Sequence, residues 1–351
     1  MLNFVNADLQ QRMARARSAE DLLELRGFMY QEMERHSYLS IDMLNEQLNA
    51  LHDWVIGRAI ALAEKELARK GRGAPPVPYA YVLFGSGGRK EQTWSSDQDS
   101  GIIYEHQDLD WDTTQAYFLA LGEEIVDTLS RAGYPPCEGK VLSSHSLWCK
   151  SVQQWRTTIS YWCKDSSWEA VRYLLIMADG RSVYGEERLW SQLKECYLSA
   201  VQSYAKVPIR MLENTMRHKV LTGIFGQLLT DRYGEDAGNL DIKYGAYIPM
   251  VNAVRLLSIR AGIVETSTLE RLLRLIERYE FTESEGRSYL DAFRFFIQMR
   301  LMTKAHFADG YYISSGKLPR SVLAKEQERE LRSFLKQGRR LQRFVNRLKD
   351  R

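Results

Sequence analysis

The sequence predicts an α+β fold: a small mixed sheet flanked by N-terminal helices and followed by a C-terminal helical bundle. Three observations carry this expectation. Apolar residues recur at helical spacing before residue 70 and again beyond Val201, and strand-length apolar runs lie between them at Tyr79 to Phe84 and Ile102 to Tyr104. The segment 71–78, GRGAPPVP, breaks the chain between the helical and stranded parts. The expected organisation is a helical region over 1–74, a sheet-bearing unit over 75–200 and a helical unit over 201–351.

At 351 residues the chain is long for one core, so two or three packed units are expected. Hydrophobic residues at 44% and charged residues at 26% are ordinary for a globular protein and exclude a disordered or low-complexity chain. A formal charge of +3 is too small to require nucleic acid or an anionic membrane as partner. Cys137, Cys149, Cys163 and Cys196 are widely spaced without a C-x-x-C pair, which points to reduced thiols rather than a disulfide framework or zinc site. The N-terminus is charged too early for a signal peptide, and no window has the apolar length of a transmembrane helix, so the expected location is the cytoplasm.

In chain order, helix is expected from about Asp8. Ser18 and Asp21 suit a capping arrangement ahead of Leu22, Leu25, Met29 and Met33, which share one helix face. Leu44, Leu48, Leu51, Val55, Ile60 and Leu62 continue the stripe, which reads as helix packing. The strand from Tyr79 runs into a turn at Gly85-Ser86-Gly87-Gly88. Asp97 and Asp99 then head the second apolar run, and side chains two apart on an extended chain point to the same face.

Asp110 to Asp112 can cap a helix through Phe118, Leu121, Ile125 and Leu129 that ends at Gly133. Tyr134-Pro135-Pro136 leads into Cys137 to Leu142, expected as a further strand. From Trp148 to Met177 the chain reads as helices whose Trp and Tyr residues form a packing layer. A short strand over Asp179 to Gly185 precedes another helix. The remainder is mostly helical, interrupted at Leu240 to Gly245, and ends in an amphipathic helix with a solvated basic face at Arg339, Arg340, Arg343 and Arg347.

The chemistry concentrates in the stretch 79–104. A glycine turn lets backbone amides approach phosphate oxygens, and two adjacent carboxylates suit Mg²⁺, which favours carboxylate and phosphate oxygens. Together they read as a nucleoside triphosphate and metal site. Other phosphate and metal motifs fail at single positions. A P-loop needs Gly-Lys-Ser/Thr where this chain has Arg89-Lys90-Glu91, a dinucleotide fingerprint needs Gly at Lys90, and an EF-hand needs Gly at Ile102. His145 and His218 lack metal-ligand spacing.

Gly85-Ser86, ten residues, then Asp97-Gln98-Asp99 resembles the signature of the nucleotidyltransferase superfamily. The longer string GSGGRKEQTWSSDQDSGIIY is similar to the nucleotidyltransferases related to the N-terminal domain of the PII-protein uridylyltransferase. The resemblance implies Mg²⁺ on Asp97 and Asp99, a triphosphate such as UTP or ATP, pyrophosphate release, and an acceptor such as a signalling protein. It implies phosphate contacts from Gly85, Ser86, Gly87 and Arg89 or Lys90, and a third catalytic carboxylate at Glu138 with Asp179 in reserve. Lys243, in a segment similar to one near the catalytic centre of uridylyl- and adenylyltransferases, is a phosphate contact or an ion-pair partner of Asp241. Two other readings stay open: a nucleotide-binding regulatory module with weak transfer, and a helical interaction scaffold.

Overall fold

The computed structural model describes residues 7–35, 40–106, 111–215, 237–303 and 305–347, with 221, 223, 227–231 and 234. Asp110 and His218, singled out above, lie outside the described residues. In chain order the helices and strands are α1 (Ala7–Arg15), α2 (Ala19–Arg35), α3 (Ile41–Arg69), β1 (Tyr79–Leu83), α4 (Gly85–Gly88), β2 (Ser100–Tyr104) and α5 (Trp111–Arg131). Then come β3 (Cys149–Ser151), α6 (Val152–Asp165), α7 (Trp168–Ala178), β4 (Arg181–Gly185), α8 (Glu187–Ser203) and α9 (Lys206–Thr215). The last part holds β5 (Asn239–Asp241), α10 (Ile248–Arg260), α11 (Thr268–Glu277), α12 (Glu283–Leu301), β6 (His306–Ala308), β7 (Tyr311–Ile313), β8 (Lys317–Pro319) and α13 (Lys325–Asn346). The fold is α+β.

Two compact units emerge. The first takes its residues from 1–159, 179–196 and 305–313. Its centre is a four-stranded mixed sheet in the order β3-β2-β1-β4. β1 runs antiparallel to β2, from Tyr79 opposite Tyr104 to Leu83 opposite Ser100, and antiparallel to β4, while β3 lies parallel to β2. Every residue of β1 and β2 is buried, as expected of strands covered on both faces. Trp155 on α6 donates its indole N–H to the Ile102 carbonyl at 3.2 Å, fixing the start of that helix to the sheet.

The N-terminal helices form as their sequence dictates. Ser18 and Asp21 cap α2 reciprocally, with the Ser18 N–H donating to the Asp21 carboxylate at 3.0 Å and the Asp21 N–H to the Ser18 hydroxyl at 3.1 Å. Leu22, Leu25, Met29 and Met33 are all buried. Each such side chain contributes roughly 1.5–3 kcal/mol by leaving water.

One expected strand does not form. Residues 137–142 make a turn, closed by the Lys140 N–H on the Cys137 carbonyl at 3.0 Å, and Lys140 takes a left-handed φ of 56°. Pro135 and Pro136 have no N–H to give a ladder, so pairing is confined to a single bridge between Pro136 and Gln98. Cys149–Ser151 supplies the third strand instead.

The second unit takes its residues from 160–178, 197–304 and 314–351. It is a helical bundle whose centre is α10, buried at every residue from Pro249 to Ile259. α9, α11 and α13 pack against it, and α12 packs on α11 and α13. A capping box of Thr282 and Glu285 starts α12, and Leu331, Leu335, Leu341 and Val345 give α13 its buried stripe. Among the described residues no helix is long and apolar enough to cross a membrane.

Candidate active site

β1 delivers Phe84 in extended conformation to a single helical turn, α4, made of Gly85-Ser86-Gly87-Gly88. Glycine is required at its two ends. Gly85 has φ +52° and faces the Asp99 carboxylate so closely that a Cβ would overlap it, while a Cβ on Gly88 would overlap the Asp179 carbonyl. The first amides of such a turn have no acceptor within it, which leaves them available to an anion.

The two acids project together because Gln98 between them is anchored. Gln98 is 4% exposed, and its side-chain nitrogen donates to the carbonyls of Tyr134 at 2.9 Å and Val126 at 3.2 Å. Its backbone N–H donates to the Pro135 carbonyl at 3.0 Å, and the Ser100 N–H to the Val141 carbonyl at 3.0 Å. With Gln98 directed inward, Asp97 and Asp99 share the other side, Asp97 exposed and Asp99 half-buried. The Phe84 N–H donates to the Asp99 carbonyl at 2.9 Å, locking acid segment and glycine turn together.

The same clamp brings in a residue that sequence reasoning missed. Ligand atoms of Asp97, Asp99 and Cys137 lie within 4.8 Å of one another, the one such group of potential metal ligands among the described residues. Burial, helped by the Asp99 carboxylate that the thiol hydrogen-bonds and by the charge of Asp97, pushes the Cys137 thiol up to about 12. The signal available in the sequence was the Cys-x-Gly at Cys137 to Gly139. Glu138, beside it, is exposed on the turn and stands outside the group.

Arg89 and Asp179 are placed together elsewhere. The Arg89 guanidinium, 3% exposed, donates to Glu91 at 2.7 Å and to Asp179 at 2.5 Å, both carboxylates being buried. It therefore ties the end of α4 to the segment leading into β4. Arg181 on β4 adds a two-pronged pair with Asp53 at 2.8 and 2.9 Å and donates to the Gly87 carbonyl at 2.9 Å.

A polar stripe on α3 holds the spacer between turn and acids. Asn45 donates to the Lys90 carbonyl at 3.1 Å, and Asn49 accepts the Gln92 N–H at 2.9 Å. His52, fully buried, presents Nε2 to the Thr93 carbonyl at 3.0 Å, so Nε2 carries the proton and Nδ1 accepts the Tyr134 hydroxyl at 2.7 Å. On α2, the buried Arg26 donates to the Trp94 carbonyl at 3.2 Å and stacks its guanidinium 3.7 Å from the Tyr134 ring centre. These residues sit among the apolar stripe of their helices, and nothing local distinguishes them.

Lys243 belongs to the second unit, on a single π-helical turn, Lys243–Tyr247. Its ammonium lies 5.3 Å from the Tyr244 ring centre, and Asp241 accepts the Tyr244 N–H at 2.9 Å as a cap of that turn. His145 accepts the Leu147 N–H at 3.1 Å on an exposed turn.

Two carboxylate oxygens and a thiol converging beside a glycine turn fit a divalent cation and a phosphate chain by their donor chemistry. Residues 29–169 match the family described as "Putative nucleotidyltransferase DUF294", and residues 206–348 match its companion, "Putative nucleotidyltransferase substrate binding domain". No curated protein matches the chain. With both models of one family matched in order and most of the sequence taken in, the chain belongs to this nucleotidyltransferase family.

Proposed function

We propose that the protein is a divalent-cation-dependent nucleotidyltransferase of the cytoplasm that moves a nucleoside monophosphate from UTP or ATP to an acceptor, of which a signalling protein is the expected kind. The observation that carries this reading is the projection of Asp97 and Asp99 to one side, with Asp99 against Gly85. Asp97 and Asp99 would hold the cation, for which hard oxygen donors suggest Mg²⁺. When bound, the cation supplies charge neutralisation on the triphosphate.

The chain's own groups do the positioning. Backbone amides of Gly85, Ser86 and Gly87 face the phosphates, and the glycine at 85 lets a phosphate and the Asp99 carboxylate come near the same backbone. An acceptor oxygen forms a bond to the α-phosphorus as the bond to pyrophosphate breaks, and the acceptor's proton passes to solvent. Arg89, engaged with Glu91 and Asp179, supports the turn from behind. Lys243 is proposed as a phosphate contact.

The test is transfer itself. Labelled UTP or ATP with Mg²⁺ and a cell lysate should label a macromolecule and release pyrophosphate, and Asp97→Asn with Asp99→Asn should lower release by about 10²–10³-fold. Release unaffected by the double substitution would sink the proposal.

A second reading is favoured by one observation: the third group beside the acids is the Cys137 thiol, with Glu138 outside on its turn. It takes the protein as a nucleotide-binding regulatory module with slow transfer. Calorimetry separates the two, because this reading expects cation-dependent nucleotide binding without pyrophosphate release.

A further inference from the structure

Sulfur is the unexpected donor at this site, and it arrives by a built route. Cys137 sits between two backbone hydrogen bonds that attach its turn to the acid segment, the Gln98 N–H on Pro135 and the Ser100 N–H on Val141, each 3.0 Å long. Metal–oxygen and metal–sulfur bonds of about 2.1 and 2.3 Å place two ligands of one ion at most about 4.4 Å apart. The three donor atoms lie within 4.8 Å of one another, and three ligands of one ion at tetrahedral angles stand about 3.4–3.6 Å apart, so side-chain rotations of about 1 Å let them share an ion.

A separate observation points to a ligand in the same place. Gln92 is 3% exposed, its Oε1 is buried with no hydrogen-bond partner among the described residues, and its side chain lines the same cavity as Asp97, Asp99 and Gly87. A buried acceptor in that state costs about 1–3 kcal/mol, and the cavity that Gln92 lines, about 10 Å³, has room for a single water bridging it to the acids' ion.

We propose that Cys137 is a third ligand of the cation at this site, so that the site takes Mn²⁺, Co²⁺ or Zn²⁺ in preference to Mg²⁺. The inference rests on the nucleotidyltransferase reading for the cation's presence and goes beyond it in the cation's identity. Mg²⁺ binds oxygen and sheds its water reluctantly, whereas a thiolate favours borderline and soft cations. On binding, the thiol releases its proton to solvent as the sulfur–metal bond forms, and no electron transfer is involved. Oxygen alone accepts Mg²⁺ as readily as Mn²⁺; sulfur in the set disfavours Mg²⁺ and so gives the site its preference.

The experiment is a Co²⁺ titration of the full chain without nucleotide, read by thiolate-to-cobalt charge-transfer absorption in the near ultraviolet. Wild type should develop the band at about one equivalent, and Cys137→Ser should lack it and bind Co²⁺ at least about tenfold more weakly. Cys137→Asp, which restores an oxygen donor, should bind Co²⁺ without the band and so separates ligand loss from misfolding. No band in wild type, or an equal band in Cys137→Ser, overturns the inference. Pyrophosphate release without the cobalt band removes the inference and leaves the proposed function. The band without any nucleotide binding does the reverse.

Discussion

The Gln98 side-chain nitrogen donates to the Tyr134 carbonyl across 2.9 Å, and through that bond the strand bearing the acids is tied to the turn bearing Cys137. It adds a side-chain tie to the two backbone bonds, the Gln98 N–H on Pro135 and the Ser100 N–H on Val141, that join segments 97–99 and 137. The site's geometry therefore rests on a residue that touches neither nucleotide nor cation in the proposed chemistry.

Gln98→Leu should keep the sheet and lose the clamp. Leaving the Tyr134 and Val126 carbonyls without their donor is expected to cost about 1–3 kcal/mol in urea unfolding. Mn²⁺ affinity should fall about 10–100-fold by calorimetry. Wild-type affinity in this variant would show that the acids are held by other means.

Gly85→Ala tests the contact between turn and acid. A side chain at φ +52° facing the Asp99 carboxylate is expected to cost roughly 1–3 kcal/mol and to displace Asp99. Thermal melting and a cation titration should fall together; a loss of stability with full cation binding contradicts the assignment.

Arg89→Met removes the cation shared by two buried carboxylates, Glu91 and Asp179. The expected loss is about 3–5 kcal/mol, because the acids are left without their counter-charge. Adding Glu91→Gln and Asp179→Asn should recover part of it. If the single substitution costs less than about 1 kcal/mol by denaturant unfolding, the guanidinium is not what holds the turn to β4.

His52 gives the protein an acid-side sensitivity. Burial first, then the charge of Arg26, pushes its ring down to about 3 from an ordinary 6.5. The unfolded chain takes up this proton near pH 6.5 and the folded chain does not until near pH 3, so the stability it contributes is complete above 6.5 and lost as pH falls toward 3. Between about pH 6.5 and 5 the slope should reach up to about 1.4 kcal/mol per unit. Urea midpoints across that window should flatten in His52→Gln, and parallel slopes would refute the assignment.

Much of the architecture was legible because it is local. Buried stripes such as Leu22, Leu25, Met29 and Met33, the Ser18–Asp21 cap, and the apolar runs of β1 and β2 follow from residue spacing alone. The strand at Cys149–Ser151 and the pairs β5 with β8 and β6 with β7 were not, since three-residue strands exist only through their distant partners. Cys137 to Leu142 misled because an apolar ending suggests a strand while the prolines before it withhold the donors. In the site, the convergence of Asp97 and Asp99 was readable from their i, i+2 spacing. The burial of Arg89, the arrival of Cys137 and the roles of Asn49 and His52 depend on contacts more than thirty-five residues apart, apart from the pairing of Arg89 with nearby Glu91.

The support given by Arg26, Asn45, Asn49 and His52 to the carbonyls of residues 90–94 bears on how the motif can be moved between proteins. All four donors precede the proline-rich break at 71–78. A graft or an excised fragment beginning after that break would carry every residue of the glycine turn and acid pair while leaving behind the groups that shape the loop between them. The heritable unit of this site is longer than its motif, and its first essential residue stands about sixty positions upstream of the first glycine.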